Sequence, residues 1–60
     1  MKNYSVVVYD YNSKSEYYLN FDSKWSYPSD EWFLNLFDAF YAKFEYELQD
    51  FDLLNYCEEL

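Results

Sequence analysis

Sixty residues carrying a net charge of -8, 28% aromatic side chains, no Gly, no His and a single Cys set narrow limits on fold and chemistry. A chain this short buries only about 60% of its unfolded surface, and without a second Cys or a His it can form neither an internal disulfide nor the usual zinc site. Four lysines against twelve acidic residues disfavour direct binding to DNA, RNA or an anionic membrane, because attraction to phosphate needs clustered cations.

Nine Tyr, six Phe and two Trp supply the bulk that a small core needs and separate the chain from disordered acidic tails. We read residues 1–60 as one folded α+β domain. Residues 4–12 and 17–21 are rich in β-branched and aromatic side chains, with "NSKS" between them as turn chemistry, which predicts an N-terminal β-hairpin. Closing the loop at Ser13-Lys14, or over 12–15, pairs Tyr11 with Glu16, Tyr9 with Tyr18 and Val7 with Asn20. Strand alternation then puts Val6, Val8, Tyr17, Leu19 and Phe21 on the core face. The opposite face collects Tyr9, Tyr11 and Tyr18 beside Glu16, Asn20 and Asp22. Asp10 falls on the core side, near enough to the turn to reach solvent. The opening "MKNYSVVVYDY" holds an apolar run of three Val, too short for a signal peptide or a membrane span. The expected location is the cytoplasm, where a lone thiol stays reduced.

"SKWSYPSD" at 23–30 reads as a linker, stiffest at Tyr27-Pro28. Ser29 or Asp30 then caps a helix, with Glu31 suited to the positive end of its dipole. Beyond it, Phe33, Leu36, Phe37, Phe40, Phe44, Leu48 and Phe51 recur at three- and four-residue intervals, as an amphipathic helix requires. One rod over the whole segment would reach roughly 45 Å, so a break near Gln49 and Asp50, with Asp50 capping a second short helix through "FDLLNYCEEL", is the alternative. A third reading makes residues 44–49 a strand, because Phe44, Tyr46 and Leu48 alternate with polar residues. The expected architecture is the hairpin packed on this C-terminal helical segment, with Phe37, Phe40 and Phe44 in the core.

An acid returns at every seventh position of that segment: Glu31, Asp38, Glu45, Asp52, Glu59. On an unbroken helix these form one strip that drifts by about 20° per heptad. Solvation of the one face left ungreased explains such a strip; so does a charged contact surface. The apolar arc beside it is wider than a two-stranded hairpin covers. A second copy of the chain packed on the Leu34, Tyr41, Leu48 row, a folded-back C-terminal helix, or strand addition at the hairpin edge would each shield it.

Catalysis lacks its usual groups, with no His, no Arg and no Gly-rich phosphate loop, and we expect no enzyme. Cys57 sits among acids in "YCEEL" and reads as a small buried apolar residue. "DFD" at 50–52 lacks the spaced ligands of a calcium loop. No cofactor or metal is expected.

In length, charge and aromatic content, carried by "EYYLNFD", "DEWFLNLFDAF" and "FEYELQDFD", the chain resembles the small acidic inhibitors that phages make against host nucleic-acid enzymes: anti-CRISPR, anti-restriction and uracil-DNA glycosylase inhibitor proteins, many of them DNA mimics. The resemblance implies a stoichiometric inhibitor in the cytoplasm of an infected host cell that blocks the basic nucleic-acid-binding surface of a protein or complex. On this reading Glu31, Asp38, Glu45 and Asp52 are the charged contacts, and Glu16 and Asp22 beside Tyr9, Tyr11 and Tyr18 form a second patch. The rival reading is a small interaction module or antitoxin-like adaptor whose aromatic helix docks in a partner's groove, its acids serving solubility.

Overall fold

β1 (Lys2–Asp10) and β2 (Ser15–Ser23) form the N-terminal hairpin, α1 (Asp30–Phe44) follows, and β3 (Phe51–Glu59) returns to pair with β1. The structure is a computed structural model describing residues 1–59. It is α+β, a three-stranded antiparallel sheet in the order β2-β1-β3 with one helix on one face. The helix therefore lies mid-chain, and the C-terminal segment expected to continue it is a strand.

The hairpin pairs Asp10 with Ser15, Tyr9 with Glu16 and Val7 with Tyr18, two residues away from the expected register. A shift of two leaves every side chain on its predicted face, so the division into core and outer sets survives. Asp10 causes the shift. Its carboxylate accepts hydrogen bonds from the backbone N–H of Asn12 at 3.4 Å and of Ser13 at 3.1 Å, an Asx turn that starts the loop at Tyr11, and Lys14 ends it with φ 56°. Far from reaching solvent, Asp10 is wholly buried. Burial pushes its carboxyl pKa up, but hydrogen bonds from the side chains of Tyr46 and Ser13 and from the two amides outweigh it, leaving the group below its ordinary range.

Inward-facing Tyr4, Val6, Val8, Leu19 and Phe21 meet Trp32, Leu36 and Phe40 of α1, and Leu48 closes the cluster. The helical three are four residues apart, one stripe of a 3.6-residue period. Phe37 and Phe44 pack on the rim of this core, half-buried. Trp32 is fully buried, and its Nε1–H has no hydrogen-bond partner among the described residues. Leaving such a donor unpaired costs about 1–3 kcal/mol, which the ring's own burial and aromatic contacts must exceed.

Of the two expected caps, Ser29 is the one used, its Oγ accepting from the Trp32 amide at 3.1 Å, while Asp30 is the first helical residue. At the other end Glu45 adopts the left-handed conformation at φ 54° and donates its N–H to the Tyr41 carbonyl at 2.7 Å. That position usually takes Gly, and a chain without Gly holds it with a side chain at a cost of about 1 kcal/mol. The helix stops there, about 22 Å long, so neither the long rod, nor the Asp50-capped second helix, nor a strand over 44–49 forms; residues 45–50 are a connection leading into β3.

A bulge explains why β3 looked helical. Val7 pairs with Asn55 and Val8 with Leu53, leaving Leu54 as an extra residue. The inward positions are consequently Phe51, Leu53, Tyr56 and Glu58, at spacings of two, three and two, which imitate a helical period and hide the alternation of a strand. No described helix is long and apolar enough to cross a membrane.

Two expectations follow from these turns. The folded pKa of Asp10 lies below its ordinary 3.8, so its contribution to stability is present above that value and is lost as pH falls through the lower folded one. Asp10→Asn should lower the urea midpoint at pH 7 and flatten its decline below about pH 4; identical acid limbs in the two proteins would contradict the buried turn network. Glu45→Gly should raise the thermal midpoint by about 3 °C, the relief of left-handed strain being partly offset by greater freedom of the unfolded chain. A lowered midpoint would mean that the helix does not end at this residue.

Candidate functional site

The sheet face turned away from α1 is built by the odd residues of β1, the even residues of β2 and, on either side of the bulge, Asp52, Asn55, Cys57 and Glu59 of β3. Tyr9 pairs with Glu16 on one side and Asp52 on the other; Asn3 pairs with Asp22 on one side and Glu59 on the other. With strands about 4.8 Å apart and a rise of about 3.4 Å per residue, the four carboxylates occupy the corners of a rectangle of roughly 10 by 20 Å. All four are exposed.

Neutral groups hold three of these corners. Asn3 and Asn20 exchange side-chain amide hydrogen bonds at 2.8 Å each way, and the same Asn3 Nδ2 donates to Asp22 Oδ1 at 2.9 Å. Asn20 Nδ2 also donates to Ser5 Oγ at 3.0 Å, and Tyr18 Oη donates to the same oxygen at 3.3 Å. The Ser5 hydroxyl reaches Glu59 Oε1 at 3.5 Å. At the other end Tyr9 and Tyr11 stack edge to face with centroids 5.0 Å apart, and the Tyr11 hydroxyl donates to Asp52 Oδ2. That bond, then desolvation, then the charges of Asp52 and Asp50 raise the Tyr11 pKa above its ordinary value.

No outward strand position carries a lysine. Lys2 pairs with Glu58 at 3.7 Å, the one ion pair among the described residues, and Glu58 also accepts from Tyr4 Oη on the helix side of the sheet. Lys43 reaches the Tyr18 carbonyl at 3.4 Å and lies over the Phe44 ring. The outer carboxylates are thus positioned without being neutralised.

The predicted contacts divide between the two layers. Glu16, Asp22, Asp52, Tyr9, Tyr11 and Tyr18 come together on the outer face. Glu31, Asp38 and Glu45 lie with α1 on the other side, so the five-acid strip does not exist as one surface. Residues seven apart on a regular strand would face opposite ways; the bulge at Leu54 brings Asp52 and Glu59 to the same side. Cys57, expected in the core, is exposed on this face opposite Ser5. Sequence reasoning missed the Asn3 and Ser5 contributions, and it placed Glu59 in the acidic register without naming it as a contact. The parity shared by Asn3, Ser5 and Tyr9 was the available signal for the first two.

Among the described residues no group of three metal-ligating side chains occurs. No protein-family model matches the chain, and neither a curated protein nor a solved structure matches it significantly.

The Tyr11–Asp52 hydrogen bond ties β3 to the hairpin face. Asp52→Asn should bring the Tyr11 phenol back down towards 10.0, read by carbon NMR of labelled tyrosine, while Glu31→Gln should leave it unmoved. An unchanged Tyr11 titration in Asp52→Asn would detach the C-terminal segment from the hairpin face.

Proposed function

We propose that the protein is a stoichiometric inhibitor that covers a basic nucleic-acid-binding surface of a host defence or DNA-processing enzyme, and that it does so with the outer face of its sheet. The observation that carries the reading is the rectangle of Glu16, Asp52, Asp22 and Glu59, without a lysine among the outward strand positions. Its two rows are separated by roughly 10 Å, between the widths of the minor and major grooves of DNA at about 6 and 12 Å. A surface lined with Lys and Arg to hold two phosphate strands would meet carboxylates at comparable separations. Tyr9, Tyr11 and Tyr18 add flat contact area at low entropic cost.

The helix takes no part in this contact. Glu31, Asp38 and Glu45 cannot touch the same flat surface as Asp52, since the sheet lies between. An adaptor inserting an aromatic helix into a partner's groove has less support, because Trp32 and Phe40 are buried and Phe33, Phe37 and Phe44 pack against the core. A second copy seated on the outer face would set one acidic array against another, which like-charge repulsion disfavours.

Salt and charge reversal test the proposal on a basic target captured from a host extract and then purified. Affinity should fall by about tenfold or more between roughly 50 and 200 mM salt, and the target's own DNA or RNA should compete. Glu16→Lys with Asp52→Lys should abolish binding, whereas Glu31→Lys should preserve it. Binding that ignores salt and survives the double reversal would remove the outer face from the mechanism.

A further inference from the structure

On the side of the molecule away from the acidic sheet face, the chain leaving α1 doubles back along the helix. Leu48 is drawn into the core and Phe37 is half-buried, so between helix and returning chain lies a groove with an apolar floor, of about 400 Å³. Asp38, Tyr41 and Ala42 form its helical wall and Glu47 and Gln49 the opposite one, all five exposed. Such a volume is in the range of sites that hold ligands, about 300–1,000 Å³. Leu34, 58% exposed, continues the helical wall two turns back from Tyr41, itself 54% exposed.

Charge decides the occupant. Asp38 and Glu47 stand on opposite walls, and neither has an ion-pair partner among the described residues. Lys43, the one lysine of α1, is turned to the Tyr18 carbonyl and the Phe44 ring. A second copy of this chain would bring -8 of its own charge to an already anionic rim. A wholly apolar ligand would strip water from both carboxylates, leaving Glu47 only the hydrogen bond from Gln49 Nε2 at 3.3 Å and Asp38 no side-chain donor among the described residues.

We infer that this groove is a second docking site, which takes a segment of a partner protein carrying one or two apolar side chains flanked on both sides by Lys or Arg. The apolar group rests on Phe37 and Leu48 beside the Tyr41 ring, and the flanking cations meet Asp38 and Glu47. The site stands apart from the outer sheet face and does not depend on what that face binds.

A titration followed by amide NMR tests it, with the capped peptide Lys-Lys-Leu-Phe-Lys-Lys as probe. Shift changes should concentrate in residues 37–49. Replacing Leu-Phe by Gly-Gly should weaken binding at least about tenfold, and so should replacing the lysines by glutamates. Asp38→Lys with Glu47→Lys should do the same from the protein side. Ala42→Trp, which fills the groove from an exposed position and leaves the charges intact, should abolish the localised shifts. Glu16→Lys with Asp52→Lys should leave them in place even if that pair destroys binding to the basic target. Shifts spread evenly over all acidic positions, or equal affinity for the Gly-Gly peptide, would reduce the effect to attraction between a polycation and an anionic protein and overturn the proposal.

Discussion

The indole of Trp32 touches all three strands, with ring centroids 5.5 Å from Tyr4 on β1, 5.4 Å from Phe21 on β2 and 6.3 Å from Tyr56 on β3. Tyr27 before the helix and Phe33 beside it complete the shell, each at 5.0 Å. In a chain with no disulfide, removing a ring of this size costs about 3–5 kcal/mol, comparable with the whole stability of a small domain, about 5 kcal/mol. The outer face depends on the same contact. Register in a sheet is set by the side that is buried, so the packing of Tyr4, Val6 and Val8 in one core with Trp32, Leu36 and Phe40 determines which carboxylates stand opposite Tyr9 and Asn3 on the other side.

An array of uncompensated charge is compatible with so small a core because its self-repulsion is weak in water. Two carboxylates about 10 Å apart repel by only about 0.4 kcal/mol at the dielectric constant of water. Across the long side of the rectangle, about 20 Å, the interaction exceeds a Debye length and salt removes most of it. The four corners together therefore oppose folding by about 1 kcal/mol, less than one aromatic side chain contributes to the core. Buried against a cationic surface, the same charges act in a lower dielectric and count for more.

Much of this was legible in the sequence. The two hairpin strands, their core and wet faces, and a helix cap at Ser29 or Asp30 follow from alternation and from residue type, and the parity of the outer face survived a two-residue change of register. Three features were not legible, each for a local reason. Asp10 reads as a solvent-seeking carboxylate until the amides of Asn12 and Ser13 converge on it. Glu45 gives no sign of a left-handed cap, because the residue that normally announces one is absent from the chain. Leu54 breaks the two-residue period of β3 and creates intervals of three that a helix would also show. The acidic heptad is real as a spacing, but it crosses the end of a helix, a connection and a bulged strand, and so belongs to two surfaces.

What distinguishes the outer face from ordinary solvated acids is the chemistry of its supports. Asp22 is held by an asparagine amide, Glu59 by a serine hydroxyl and Asp52 by a tyrosine hydroxyl. Each donor is neutral. A lysine in any of these roles would fix the carboxylate equally well and cancel its charge, leaving nothing to attract a cationic partner. Neutral donors restrict the side chains while leaving the negative charge in place, and side chains already restricted lose less entropy when a partner closes over them. Glu16 has no such support among the described residues, so on the proposed reading it is the corner of the array that a partner would itself have to order.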